Sequence, residues 1–101
     1  MTIYLTHAAF ADHLNTTFRV LLDTPERVEL ELTELSELKI TPNQERFAVV
    51  FRGSKEKFLG QGTRRLEHDK MGEFDIFIVP IKEDEGGVYY EASFNRLIEV
   101  T

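Results

Sequence analysis

The chain has no cysteine among its 101 residues. That absence alone removes a disulfide framework, a Cys-ligated zinc or iron–sulfur site and a thiol nucleophile, and it fits a reducing compartment. Long apolar runs are missing as well. The longest, Ile76 to Ile81, contains a proline and falls far short of the ~20 residues that span a bilayer. The opening Met1-Thr2-Ile3-Tyr4-Leu5 has neither the basic segment nor the apolar stretch of a secretory leader. The expectation is a soluble, cytoplasmic protein that does not engage a membrane. Asn15-Thr16-Thr17 matches a glycosylation sequon, which has no meaning without a secretory route.

Motifs of reaction chemistry are equally scarce. Gly60-Gln61-Gly62 starts like a dinucleotide fingerprint, but Arg65 stands where the third glycine belongs, and the segment precedes a strand-like run instead of a helix. Gly53-Ser54-Lys55 lacks the glycine that a phosphate-binding loop places five residues ahead of its lysine. His7, His13 and His68 are the only imidazoles, and Glu67-His68-Asp69 is the only dense cluster of imidazole and carboxylate. On a strand, alternation turns His68 away from both acids, so the three do not converge on a metal or form an acid–base pair. A solvated strand end is the reading. Ser36, Ser54 and Ser93 lie in no nucleophile elbow. No catalytic residue, metal or cofactor is expected.

What is present is core material. Apolar residues make up 42% of the chain and aromatics 11%, with eight phenylalanines, which excludes disorder. The length suits one β-rich domain over residues 1–101. Thr6 is placed to cap a short helix, His7 to Leu14, whose Phe10 and Leu14 share one face. Leu5 and Phe10 are set to staple its start. After Asn15 the period becomes two: Phe18, Val20 and Leu22, then Val28, Leu30 and Leu32, form a hairpin across Asp23-Thr24-Pro25-Glu26. The pattern slips after Thr33, calling for a bulge or a short helical turn through Glu34 to Lys39.

Further along, Phe47, Val49 and Phe51 alternate with Ala48 and Val50 in a central strand. A loop runs from Gly53 to Gly62, a shorter strand from Thr63 to His68, and a turn follows with Gly72 at positive φ. Phe74, Ile76 and Ile78 oppose Phe77, Val79 and Ile81, so both faces of that strand call for cover. Beyond a turn at Glu83 to Gly87, Tyr90, Ala92 and Phe94 make the last long strand, with Leu97 to Val100 continuing it past a break at Asn95-Arg96. Turn signals about every ten residues describe a mostly β fold, an antiparallel meander forming a small barrel or sandwich of about six strands with a short N-terminal helix.

The net charge of −6 opposes nonspecific nucleic-acid binding by the whole domain. Its distribution is uneven, because Arg46, Arg52, Lys55, Lys57, Arg64 and Arg65 form a basic island interrupted only by Glu56. The island is either a site for an acidic partner or is paired across strands with Glu29, Glu31, Glu34 or Glu37. Within it, Phe58-Leu59 either caps the core or anchors a partner. Arg52, Lys55, Lys57, Phe58, Leu59, Arg64 and Arg65 are therefore the candidate partner-binding residues.

Phe51-Arg52-Gly53, Phe58-Leu59, Gln61-Gly62-Thr63, Arg65-Leu66-Glu67-His68, Gly72, Phe77-Ile78-Val79-Pro80 and Tyr90-Glu91-Ala92-Ser93-Phe94-Asn95 resemble a family of small uncharacterised bacterial domains. The likeness runs from Leu5 to Arg96, with Arg64 in place of an aromatic and Asp69 in place of a proline. The resemblance implies no activity. It implies an association with phage-tail-like or tail-collar gene neighbourhoods, and so an accessory or assembly role. The leading expectation is a non-catalytic module that binds another protein or itself. The alternative is a small-ligand carrier or enzyme whose site lies inside a barrel, built from Tyr89, Tyr90, His68 and the arginines. A third reading, nucleic-acid binding through the basic island, predicts steep salt dependence.

Overall fold

The structure is a computed structural model that describes residues 5–97. A short helix, α1 (His7–Ala11), precedes seven strands: β1 (Thr17–Leu21), β2 (Arg27–Leu35), β3 (Lys39–Thr41), β4 (Gln44–Gly53), β5 (Gly62–His68), β6 (Gly72–Asp84) and β7 (Gly87–Leu97). All pairings are antiparallel. The ladder order β2-β1-β5-β6-β7-β4 returns to β2 through a direct β2–β4 pairing, so six strands close a barrel and β3 extends it along β4. Closure removes the free edges that an open sheet of this size would leave.

The barrel interior follows from strand alternation. Phe18 and Val20, Val28, Leu30 and Leu32, Val49 and Phe51, Leu66, Phe74, Ile76 and Ile78, and Val88, Tyr90 and Ala92 all point inward and are buried. Only Phe10, Phe18, Phe51 and Phe74 among the eight phenylalanines are buried; Phe47 and Phe94 sit half-buried at one rim, and Phe58 and Phe77 are exposed. Aliphatic side chains fill the remaining space, and the bore is a packed core.

Helix α1 plugs one mouth of the barrel. The Thr6 side chain caps it by accepting from the Ala9 N–H at 3.1 Å, and Phe10 enters a ring cluster with Phe18, Phe47, Phe74 and Phe94 at centroid distances of 5.3–6.4 Å. The helix ends at Ala11, short of the expected Leu14, and the chain reverses at Asn15 with φ +67°, a conformation that Asn tolerates. Leu14 is consequently exposed instead of sharing the core-facing side with Phe10.

Most expected strands are present, with local corrections. The slip after Thr33 is a register shift between Leu32 and Glu34 within β2, a bulge and not a helical turn. Strand β6 continues to Asp84, so the hairpin loop is only Glu85-Gly86. β7 passes through Asn95-Arg96 without a break, because both residues pair with β4; the expected continuation over residues 98–100 lies outside the described residues. The turn after β5 places Gly72 at φ +79°. The outer face of β6 has no second layer over it: Phe77 is 51% and Ile81 50% exposed. Packing a second layer there would need another element, and the one α-helix among the described residues is spent on the barrel mouth.

Candidate functional site

The basic island divides once it is folded. Arg52 on β4 pairs with Glu31 on β2, its direct cross-strand neighbour. Lys57 pairs with Glu26. Arg65 on β5 reaches Glu73 at 3.2 Å and Asp75 at 3.4 Å on β6, and the Glu73 hydrogen bond, with the Asp75 charge, raises its pKa. Of the four expected acidic partners only Glu31 takes part. Glu73 and Asp75 serve Arg65 because β6 is the neighbour of β5, and Glu26, in the turn before β2, meets Lys57 in the β4–β5 loop. These are solvent-exposed pairs of the kind that contribute about 1 kcal/mol or less.

The loop between β4 and β5 closes the second mouth of the barrel. Ser54 caps a single 3-10 turn, Lys55–Lys57, by accepting from the Glu56 N–H at 3.1 Å. Leu59 then turns into the core, and its N–H donates to the Tyr90 hydroxyl at 2.9 Å inside the barrel. Arg64 faces inward on β5 opposite Ile76, and its Nη2 donates to the Gly60 carbonyl at 2.9 Å, while its Nε is buried without a partner. Gly53 packs closely at this mouth, where a Cβ would lie 2.7 Å from Leu30 Cδ2 and displace that side chain. Leu59 is thus a cap on the core, Phe58 is 58% exposed beside the Tyr90 ring at 6.4 Å, and Lys55 has no ion pair among the described residues. Of the seven candidates, Lys55 and Phe58 are the two presented to solvent with no hydrogen bond or ion pair from the side chain among the described residues.

The exposed side chains of β6 add to this surface. Phe77 and Val79 lie on its outer face, and Ile81 sits in the register shift between Pro80 and Lys82. Alternation identified these residues as a second apolar face but gave no sign that it would stay open.

The groups proposed for an interior site do not converge. Tyr89 lies on the outer face opposite Arg52, with the Lys82 ammonium 4.5 Å from its ring centroid, while the Tyr90 hydroxyl is engaged by Leu59. His68 is 6% exposed, a correction to the solvated strand end expected from its acidic neighbours. It shares the inward parity of Leu66, and that parity was the available signal. Its Nδ1 accepts from the N–H groups of Lys70 at 3.0 Å and Met71 at 3.2 Å, which places the proton on Nε2, 2.9 Å from the Thr16 hydroxyl. The Thr16 hydroxyl in turn donates to the His13 carbonyl at 2.6 Å. Burial, reinforced by the His13 ring whose centroid lies 4.7 Å away, lowers the His68 pKa. With both nitrogens committed, His68 is a structural lock between the helix end and the β5–β6 turn. The adjacent acids turn outward, where Arg19 binds Glu67 at 2.9 Å and Asp69 at 2.8 Å and lowers both their pKa values.

Among the described residues there is no group of three or more His, Asp or Glu placed to hold a metal ion, and no helix long and apolar enough to cross a membrane. Residues 5–94 match a family described as a domain of unknown function, DUF6916. No curated protein and no solved structure matches the chain.

Proposed function

We propose, for a chain that belongs to the DUF6916 family, that it is a non-catalytic docking module that binds another protein through the outer face of β6 and the neighbouring Phe58 loop. The observation that carries this reading is the uncovered apolar stripe Phe77, Val79 and Ile81, with Phe77 and Ile81 about half exposed. Contiguous exposed apolar surface on a small soluble domain is a feature of interaction sites. Lys55 and Phe58 supply a charged rim and an aromatic anchor of the kind that dominates interface energetics. The filled bore and the bonded state of His68 and Tyr90 support a surface function over an interior one.

The assembly we assign it to is a cytoplasmic, bacterial, phage-tail-like one, on the strength of the resemblance that runs from Leu5 to Arg96. Identification of its gene neighbours tests that assignment. The docking reading is tested by affinity purification from the native host with wild type, with Phe77→Asp/Ile81→Asp, and with Lys55→Glu/Phe58→Ala, each checked for folding by circular dichroism. The expected result is a protein retained by wild type and lost from both variants. If the three baits retain the same proteins in the same amounts, this surface is not the docking site.

A further inference from the structure

A second surface lies on the other side of β7, where the outward residues of β3, β4 and β7 form a ladder of charge. Lys39 faces Arg46 and Arg46 faces Asn95, so the first row sets two cations side by side. The next row is small: Ala48 faces Ser93, and Ser36 is tied to Ala48 by two hydrogen bonds of 2.8 and 2.9 Å. The third row flanks Val50 with Glu34 on one side and Glu91 on the other. None of Lys39, Arg46, Glu34 or Glu91 has an ion pair among the described residues. Like charges directly opposite one another destabilise a ladder. The two charged rows cannot relieve each other within one chain, because four residues of strand separate them by roughly 13 Å.

We infer that this face pairs with the same face of a second copy of the chain, in a two-fold dimer whose axis runs along the small middle row, across the strands. That operation lays the cation row of each copy over the carboxylate row of the other, Lys39 above Glu34 and Asn95 above Glu91, and Arg46 reaches to either acid. A two-fold axis along the strands would instead set cations on cations, so the charge pattern selects the arrangement. An isologous interface requires a self-complementary patch of this kind. Ser36, Ala48 and Ser93 allow the sheets to approach at the axis. Depressions of about 400 Å³, lined by residues including Lys39, Arg46 and Ser93, and about 270 Å³, lined by residues including Glu34, Val50 and Glu91, give the long side chains of the partner room. Glu37 also borders the larger depression and makes no ion pair with either cation. This face adjoins the Phe77 stripe, since Glu91 pairs with Val79, but its charged residues are distinct from Phe77 and Ile81, so the Lys39/Arg46 and Phe77/Ile81 variants test the two readings separately.

Analytical ultracentrifugation tests it with the full chain. Wild type is expected to be a dimer that dissociates as salt is raised. Lys39→Glu/Arg46→Glu and Glu34→Lys/Glu91→Lys, each alone, should weaken association by about 100-fold or more, since facing like charges cost several kcal/mol. An equimolar mixture of the two variants should restore the dimer as a heterodimer, because wherever two charges face each other they are again opposite in sign. Ser93→Arg, which faces its own copy near the axis, should also give a monomer and serves if either double variant melts early. Wild type that remains monomeric at its highest soluble concentration overturns the inference. So does a dimer that survives both reversals, or a folded mixture that stays monomeric.

Discussion

Tyr90→Phe deletes one oxygen from the centre of the barrel and should loosen the loop that closes its second mouth. Tyr90 is fully buried and its hydroxyl accepts the Leu59 N–H at 2.9 Å, with Leu59 itself 6% exposed. Without the oxygen the chain has two responses. It can keep the loop shut over an unsatisfied amide, at about 1–3 kcal/mol, or let the loop lift and expose Leu59, which forfeits about 1.5–3 kcal/mol of burial. The two ranges overlap, so stability should fall by about 1–3 kcal/mol whichever response the loop takes, out of the roughly 5–15 kcal/mol typical of a domain. Urea titration reads the change as a lower midpoint at constant slope, and amide exchange should show faster exchange at Leu59. Tyr89→Phe, on the outer face, should stay within about 0.5 kcal/mol of wild type. Equal stability of Tyr90→Phe and wild type, with unchanged protection at Leu59, would refute the assignment of that hydrogen bond as the loop's anchor.

Phe10→Ala removes the plug of the other mouth and should cost about 3–5 kcal/mol, seen as a large drop in melting temperature; a drop of less than a few degrees would mean that α1 contributes little to the core. Gly87→Ala is expected to destabilise by more than about 1–3 kcal/mol, because φ is +141° and a Cβ would lie 2.3 Å from the Gly53 carbonyl oxygen; a wild-type melting curve would show that the β6–β7 hairpin can shift to admit it. Stability should depend on pH in two windows. The His68 pKa is lowered from 6.5, so between that value and its folded pKa the unfolded chain binds more protons, and stability declines as pH falls below about 6.5. Glu67, Asp69 and Asp84, also lowered, from 4.5 and 3.8, contribute a second decline below those values. A melting temperature flat from pH 7 to pH 5 in wild type would contradict the buried, neutral His68.

The strands were legible because their alternation is strong. Phe18, Val20, Leu30, Leu32, Phe74, Ile76 and Ile78 mark inward faces that the barrel uses as read. Residues whose fate depends on what lies across space were not legible. Phe77 and Ile81 are as apolar as their inward neighbours, and strand periodicity does not report whether a second layer exists. The acids flanking His68 suggested solvent, yet its parity with Leu66 sends it inward, and its partners are two backbone N–H groups that carry no sequence signature. The basic island was visible as a charge count, but its pairing with Glu26, Glu73 and Asp75 follows from which strands become neighbours. The row of Lys39, Arg46 and Asn95 needed the β3–β4–β7 register before it existed at all.

The ring closure also sets the order in which the chain can become a protein. β7, the last of the seven described strands in chain order, lies between β6 and β4 and makes the ten-residue ladder from Gln44 to Gly53. Until it emerges, the nascent chain is an open sheet with β4 and β6 both unpaired on one side. The closing contacts join segments more than thirty residues apart in sequence, and folds dominated by such contacts form in milliseconds to seconds. During that interval the apolar β4 and β6 are templates for a neighbouring chain. A ribosome that stalls before Gly87 would therefore release a species prone to aggregate, and quality control of this small domain turns on the arrival of β7.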